Sequence, residues 1–148
     1  MKTLILGIGN VLYGDEGAGV HVARYLAESK ELAEDVVVVD GGTGGFALLE
    51  AMHGRDRIVF VDATIDGKPP GTIQRMQPHF ASDFPPCLSA HDIGLRDLVQ
   101  SWELLGHGAE MILYTISIAP LNELTMDLMP EVAAVVPQVA ARILDDCS

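Results

Sequence analysis

Thr3 to Gly9 is an unbroken apolar run ending in Gly7-Ile8-Gly9-Asn10, followed by a glycine-rich, acidic loop and then by residues spaced for a helix face. An apolar run with no polar alternation fits a strand buried on both faces. The same change of period recurs along the chain. Val20, Ala23, Leu26 and Ala27 mark a helix over Val20 to Ser29. Val36 to Val39 is β-branched throughout and stops at Asp40-Gly41-Gly42-Thr43-Gly44-Gly45. Phe46 to His53 reads as a short helix ended by Gly54, and Ile58 to Val61 as a buried strand ending at Asp62. Pro69-Pro70-Gly71 turns the chain into Thr72 to Met76, a more polar segment expected at a sheet edge. Pro78 to Ala90 is a proline-rich loop. Ile93 to Leu105 is a second amphipathic helix stopped by Gly106, and Met111 to Ile118 is the last strand. Met129 to Leu144 is a final helix with Pro130 in its first turn, which Pro137 should kink or split. The order β-α-β-α-β-β-α-β-α predicts an α/β, three-layer fold: a mostly parallel, twisted sheet of about five strands with helices on both faces.

The chain is 148 residues, 49% hydrophobic but only 5% aromatic, so its apolar mass is aliphatic. That length suits one domain over residues 1–148 with one substantial core, and the apolar fraction excludes a disordered chain. Lys and Arg number 9 against 21 Asp and Glu, a net charge of −12. This balance argues against nucleic acid and anionic lipid as partners, because both need clustered basic residues. Cys87 and Cys147 form no Cys-x-x-Cys, which argues against a disulfide framework or a cysteine-built zinc site. Leu4 to Leu12 is apolar behind Lys2, but no small-residue cleavage site follows, and no run approaches the ~20 residues that span a bilayer. A cytoplasmic protein without membrane insertion is expected, and a monomer is compatible with the sequence.

In open α/β sheets, ligand groups gather beyond the carboxyl ends of the strands. Three residues stand there: Glu16 in the loop after the first strand, Asp62 at the end of the third, and His91 in Leu88-Ser89-Ala90-His91-Asp92-Ile93-Gly94 ahead of the second long helix. Each has an ordinary role on its own. A strand-end Asp forms turns, a loop Glu is solvated, and a His near a helix start helps cap it, although Ser89 is the better cap there. Together, two carboxylates and an imidazole form an oxygen/nitrogen site for a divalent transition metal with coordination positions left open. Asp40 is a weaker addition. His21, His53, His79 and His107 read as surface or boundary histidines, and a Cys87/His91 nucleophile pair is a minor alternative. Gly7-x-Gly9 invites a dinucleotide fingerprint, but Leu12 stands where the third glycine belongs, and Asp15 and Glu16 would repel a pyrophosphate.

Gly7-Ile8-Gly9-Asn10-Val11-Leu12-Tyr13-Gly14-Asp15-Glu16-Gly17-Ala18-Gly19-Val20 resembles the N-terminal signature of the [NiFe]-hydrogenase maturation endopeptidases. Asp40-Gly41-Gly42-Thr43, Val61-Asp62-Ala63 and Ser89-Ala90-His91-Asp92-Ile93-Gly94-Leu95 resemble that family's later motifs, in order, so the likeness spans essentially the whole chain. The resemblance implies a peptidase that removes a short C-terminal extension from a [NiFe]-hydrogenase large-subunit precursor after nickel insertion. It implies that Glu16, Asp62 and His91 contact metal and carry catalysis. It also implies that the nickel is supplied by the precursor as a recognition element. Two hydrolytic routes stay open: a metal that polarises the carbonyl or acidifies bound water, and a carboxylate that activates water as general base. A non-catalytic nickel metallochaperone with the same ligands, and a dinucleotide-dependent oxidoreductase, are the competing functions.

Overall fold

The computed structural model describes residues 1–86, 94–106, 108–120 and 124–148. Five strands form one sheet: β1 (Thr3–Ile8), β2 (Val36–Gly42), β3 (Arg57–Thr64), β4 (Ile73–Met76) and β5 (Glu110–Ser117). Their spatial order is β2-β1-β3-β5-β4, with β4 antiparallel to β5 and every other pairing parallel. The helices are α1 (Ala18–Ala27), α2 (Leu48–Met52), α3 (Leu95–Leu104), α4 (Pro130–Ala133) and α5 (Val136–Cys147). This is the three-layer α/β arrangement expected from the alternation of periods.

Strand pleating sends alternate side chains to opposite faces, and the core divides accordingly. Ile5, Val59, Val61, Ile112 and Ile116 pack under α1, α4 and α5. Leu4, Leu6, Ile58, Phe60 and Leu113 pack under α2 and α3, where the Phe84 ring meets Phe60 edge-on at 5.3 Å. Because β1 is covered on both faces, all six of its residues are buried. The helices present the matching stripes: Leu95, Leu98, Val99 and Trp102 from α3, and Val136, Val139, Ala140 and Ile143 from α5.

Pro137 splits the last helical segment, as its position predicts. Pro130 begins α4 and Pro137 is the second residue of α5, where a missing N–H breaks no intrahelical bond. The Phe46–His53 segment is a 3-10 turn over Gly45–Ala47 followed by α2, and Gly54 ends it in the left-handed region at φ 75°. Two strand ends differ from the sequence-based boundaries. Strand β2 continues past Asp40 to Gly42, and β3 continues past Asp62 to Thr64. The cause in β3 is tertiary: pairing with β1 ends at Gly7↔Val61, whereas pairing with β5 runs on through Asp62↔Thr115 to Thr64↔Ser117. Asp62 is therefore an in-strand residue at the point where β1 peels away.

That divergence is also where the topology reverses. From β1 the chain crosses through α1 to β2 on one side, and then returns through α2 to β3 on the other. The crevice between the carboxyl ends of β1 and β3 is thus the switch point, the usual ligand position in open α/β sheets.

Candidate functional site

Glycines seat the first loop in this crevice. A 3-10 turn, Gly14–Gly17, precedes α1 and carries Glu16. A Cβ on Gly9, whose φ is +146°, would lie 2.1 Å from the carbonyl oxygen of Glu16. A Cβ on Gly19 would lie 2.2 Å from the Val61 carbonyl oxygen and 2.5 Å from that of Ile8. Only hydrogen fits at these positions, so the backbone bearing Glu16 folds back on the end of β1, and the start of α1 settles against both β1 and β3.

This seating brings two carboxyl groups together. Asp62 and Glu16 are both half-buried, and the Ala63 N–H donates to Asp62 Oδ1 at 2.8 Å. Burial pushes the Asp62 carboxyl up to about 8, the negative charge of Glu16 adds to the rise, and the Ala63 hydrogen bond opposes it. Burial and a like charge nearby both favour the neutral form of Asp62. Asp62 follows Ile58 and Phe60 in alternation, on the sheet face that α3 covers. Among the described residues no group of three His, Cys, Asp or Glu could hold a metal ion. His91, Cys87 and Ser89 lie outside the described residues.

The other sequence candidates have separate employment. Asp40 is exposed and its Oδ2 lies 2.9 Å from Arg24 Nε, an ion pair that explains its place without a ligand. His21 is half-buried in α1, as a boundary histidine should be. Burial, then the neighbouring Arg24 charge, lowers its pKa against an opposing effect of Asp40.

Asp15 carries a structural role that the sequence did not show. Its side chain is 1% exposed, and Oδ1 accepts the Met129 N–H at 2.8 Å, just ahead of α4. Its Oδ2 is buried without a hydrogen-bond partner among the described residues. The same loop is tied a second time by an isolated parallel bridge between Tyr13 and Thr125. There the Thr125 N–H donates to the Leu12 carbonyl at 2.9 Å, and the Gly14 N–H to the Thr125 carbonyl at 2.6 Å. These partners are more than 100 residues apart, so no local pattern announces them.

The geometry defines a class: an open α/β protein with two half-buried carboxyl groups side by side at its switch point. The comparisons give the family. The family model described as hydrogenase maturation protease matches residues 20–146. The hydrogenase 2 maturation protease of Escherichia coli (strain K12) is 30% identical over 146 residues, 97% of this chain and 89% of that protein. The hydrogenase expression/formation protein HupD of Rhizobium leguminosarum bv. viciae is 32% identical over 123 residues, 82% of this chain. The chain spans 60% of that relative's length. The structure of the hydrogenase maturating endopeptidase HybD from E. coli superposes with a TM-score of 0.88 at 29% identity, covering 99% of this chain and 91% of that one. The chain belongs to the hydrogenase maturation protease family.

Proposed function

We propose that this protein is an endopeptidase that removes the C-terminal extension of a [NiFe]-hydrogenase large-subunit precursor once nickel has been inserted. Nickel is part of the substrate in this scheme. Glu16, Asp62 and His91 approach it, and its position directs the scissile bond to the site. The observation that carries the proposal is the Glu16–Asp62 pair: two half-buried carboxyl groups at the switch point, one pushed up to about 8 by burial and by the negative charge of the other. A divalent cation would favour ionisation of both groups, and carboxylate oxygens with an imidazole nitrogen suit Ni(II). Before the precursor arrives, Asp62 holds its proton at neutral pH. Engagement of the cation releases it, so recognition of the metal becomes coupled to pH.

The site fits a dinucleotide poorly. A pyrophosphate would take the N-terminus of α1, and the turn that leads into that helix carries Asp15 and Glu16. A metallochaperone would use the same ligands, and a cleavage assay separates it from the peptidase. No helix among the described residues is long and apolar enough to cross a membrane, and the cytoplasm is proposed as the place of action.

The test is incubation with nickel-loaded precursor, followed by mass measurement of the precursor's C-terminus. The proposal expects a single truncated product, poor cleavage of nickel-free precursor, and uncleaved precursor with His91→Ala despite a normal thermal unfolding curve. Intact precursor with the unaltered protein would leave the chaperone function standing instead.

A further inference from the structure

Beside the carboxylate pair stands an apolar ridge that the fold does not bury. The Tyr13–Thr125 bridge places Leu12, Leu124 and Met126 each within one residue of the same backbone contact. All three face solvent, at 54%, 69% and 61% exposure. Singly exposed leucines need no explanation, whereas a fastened group of large apolar side chains marks an interaction surface. The fastening includes a buried acid: Asp15, 1% exposed, accepts the Met129 N–H just ahead of α4.

The surroundings of the ridge specify its partner. Glu16 is four residues beyond Leu12, Asp127 directly follows Met126, and neither residues 3–23 nor residues 111–141 contain a Lys or Arg. Arg24 reaches the hollow beside Leu12, but there it is paired with Asp40, and an apolar patch in segments that are otherwise acidic fits an apolar polypeptide segment that adjoins a positive centre. The ridge is also continuous with the turn that carries Glu16, so whatever docks there lies next to the carboxylate pair.

We infer that Leu12, Leu124 and Met126 form the docking surface for the precursor polypeptide, receiving an apolar segment that flanks its metal centre. This rests on the maturation function proposed above. The ridge acts in binding, and the carboxylate pair meets the metal.

The test compares steady-state cleavage of nickel-loaded precursor by the unaltered protein, by Leu12→Ser/Met126→Ser, and by Leu104→Ser. Leu104 is 81% exposed but sits at the C-terminal end of α3, away from the carboxyl edge of the sheet. The double change is expected to raise KM at least tenfold while kcat falls less than twofold, and Leu104→Ser to alter neither. Direct titration of precursor onto Glu16→Gln protein, with and without the double change, should show the same weakening of Kd. If the double variant melts early, Leu124→Ala must still raise KM threefold or more. Cleavage with KM and Kd unchanged in these variants, or a loss confined to kcat, overturns the docking surface. Failure of the unaltered protein to cleave overturns the maturation function instead, so the two outcomes are distinguishable.

Discussion

Asp62 and Asp146 are both half-buried carboxylates held against the same sheet, yet their surroundings are opposite. Asp146, near the end of α5, is enclosed by donors. Arg75 of β4 reaches it with Nη2 at 3.0 Å and Nε at 3.2 Å, and the Tyr114 hydroxyl of β5 donates to it. Arg57 adds a bond of 2.6 Å to its backbone carbonyl. Burial, with the Asp146 bond and charge behind it, pushes the Tyr114 hydroxyl up to about 12, so that group stays a donor. Asp62 receives one backbone N–H and faces Glu16. A carboxylate met by an arginine and a hydroxyl ties elements together; a carboxyl group buried beside another acid is held neutral and has a proton to give up when a cation arrives. Within one fold the first kind is a fastener and the second is a candidate site.

The comparison can be broken most sharply by activity. Glu16→Gln and Asp62→Asn are each expected to lower precursor cleavage at least a hundredfold while leaving thermal unfolding near that of the unaltered protein. Asp146→Ala should do the reverse, and equal losses from both kinds of change would dissolve the distinction. Gly19→Ala tests the seat of the site. The added methyl meets two backbone carbonyls, so a loss of about 3 kcal/mol is expected in urea unfolding, with reduced cleavage because Glu16 is displaced from Asp62. Asp146→Ala leaves the buried Tyr114 hydroxyl without its acceptor and should lower stability by about 2 kcal/mol in the same titration.

The subtlest expectation is a slope. Burial and the neighbouring Glu16 charge push the folded Asp62 carboxyl up to about 8, well above the ordinary carboxylate value of the unfolded chain. Between roughly pH 4 and pH 8 the folded protein therefore keeps a proton that the unfolded chain releases, and this contribution to stability falls as pH rises. Melting temperatures of metal-free protein should decline more steeply across that window than those of Asp62→Asn. Parallel curves would mean that Asp62 is not held protonated.

Much of this was legible in the chain. The switches between apolar runs and helical spacing foretold the layers, and Pro137 foretold the break before α5, because these signals act within a few residues. The Glu16 and Asp62 positions followed from the strand-end rule, since loops after parallel strands share one edge. The extension of β3 beyond Asp62 was not visible, because it depends on how far β5 continues to pair. Nor was the fastening of the first loop by Thr125 and Met129, or the enclosure of Asp146 by Arg75 and Tyr114. Hydrogen bonds between distant segments leave no periodicity to read.

The tie between Asp15 and Met129, 114 residues apart, also has a bearing on how the protein comes into being. Such a contact belongs to the slow, late part of folding, since most of the chain must be in place before its ends can meet. Glu16 leaves the ribosome early, yet the loop that carries it gains its fastening only after the segment preceding α4 has been made. A nascent chain halted before that point would hold an unfastened first loop. The wiring of the fold thus delays assembly of the docking ridge until synthesis is nearly done.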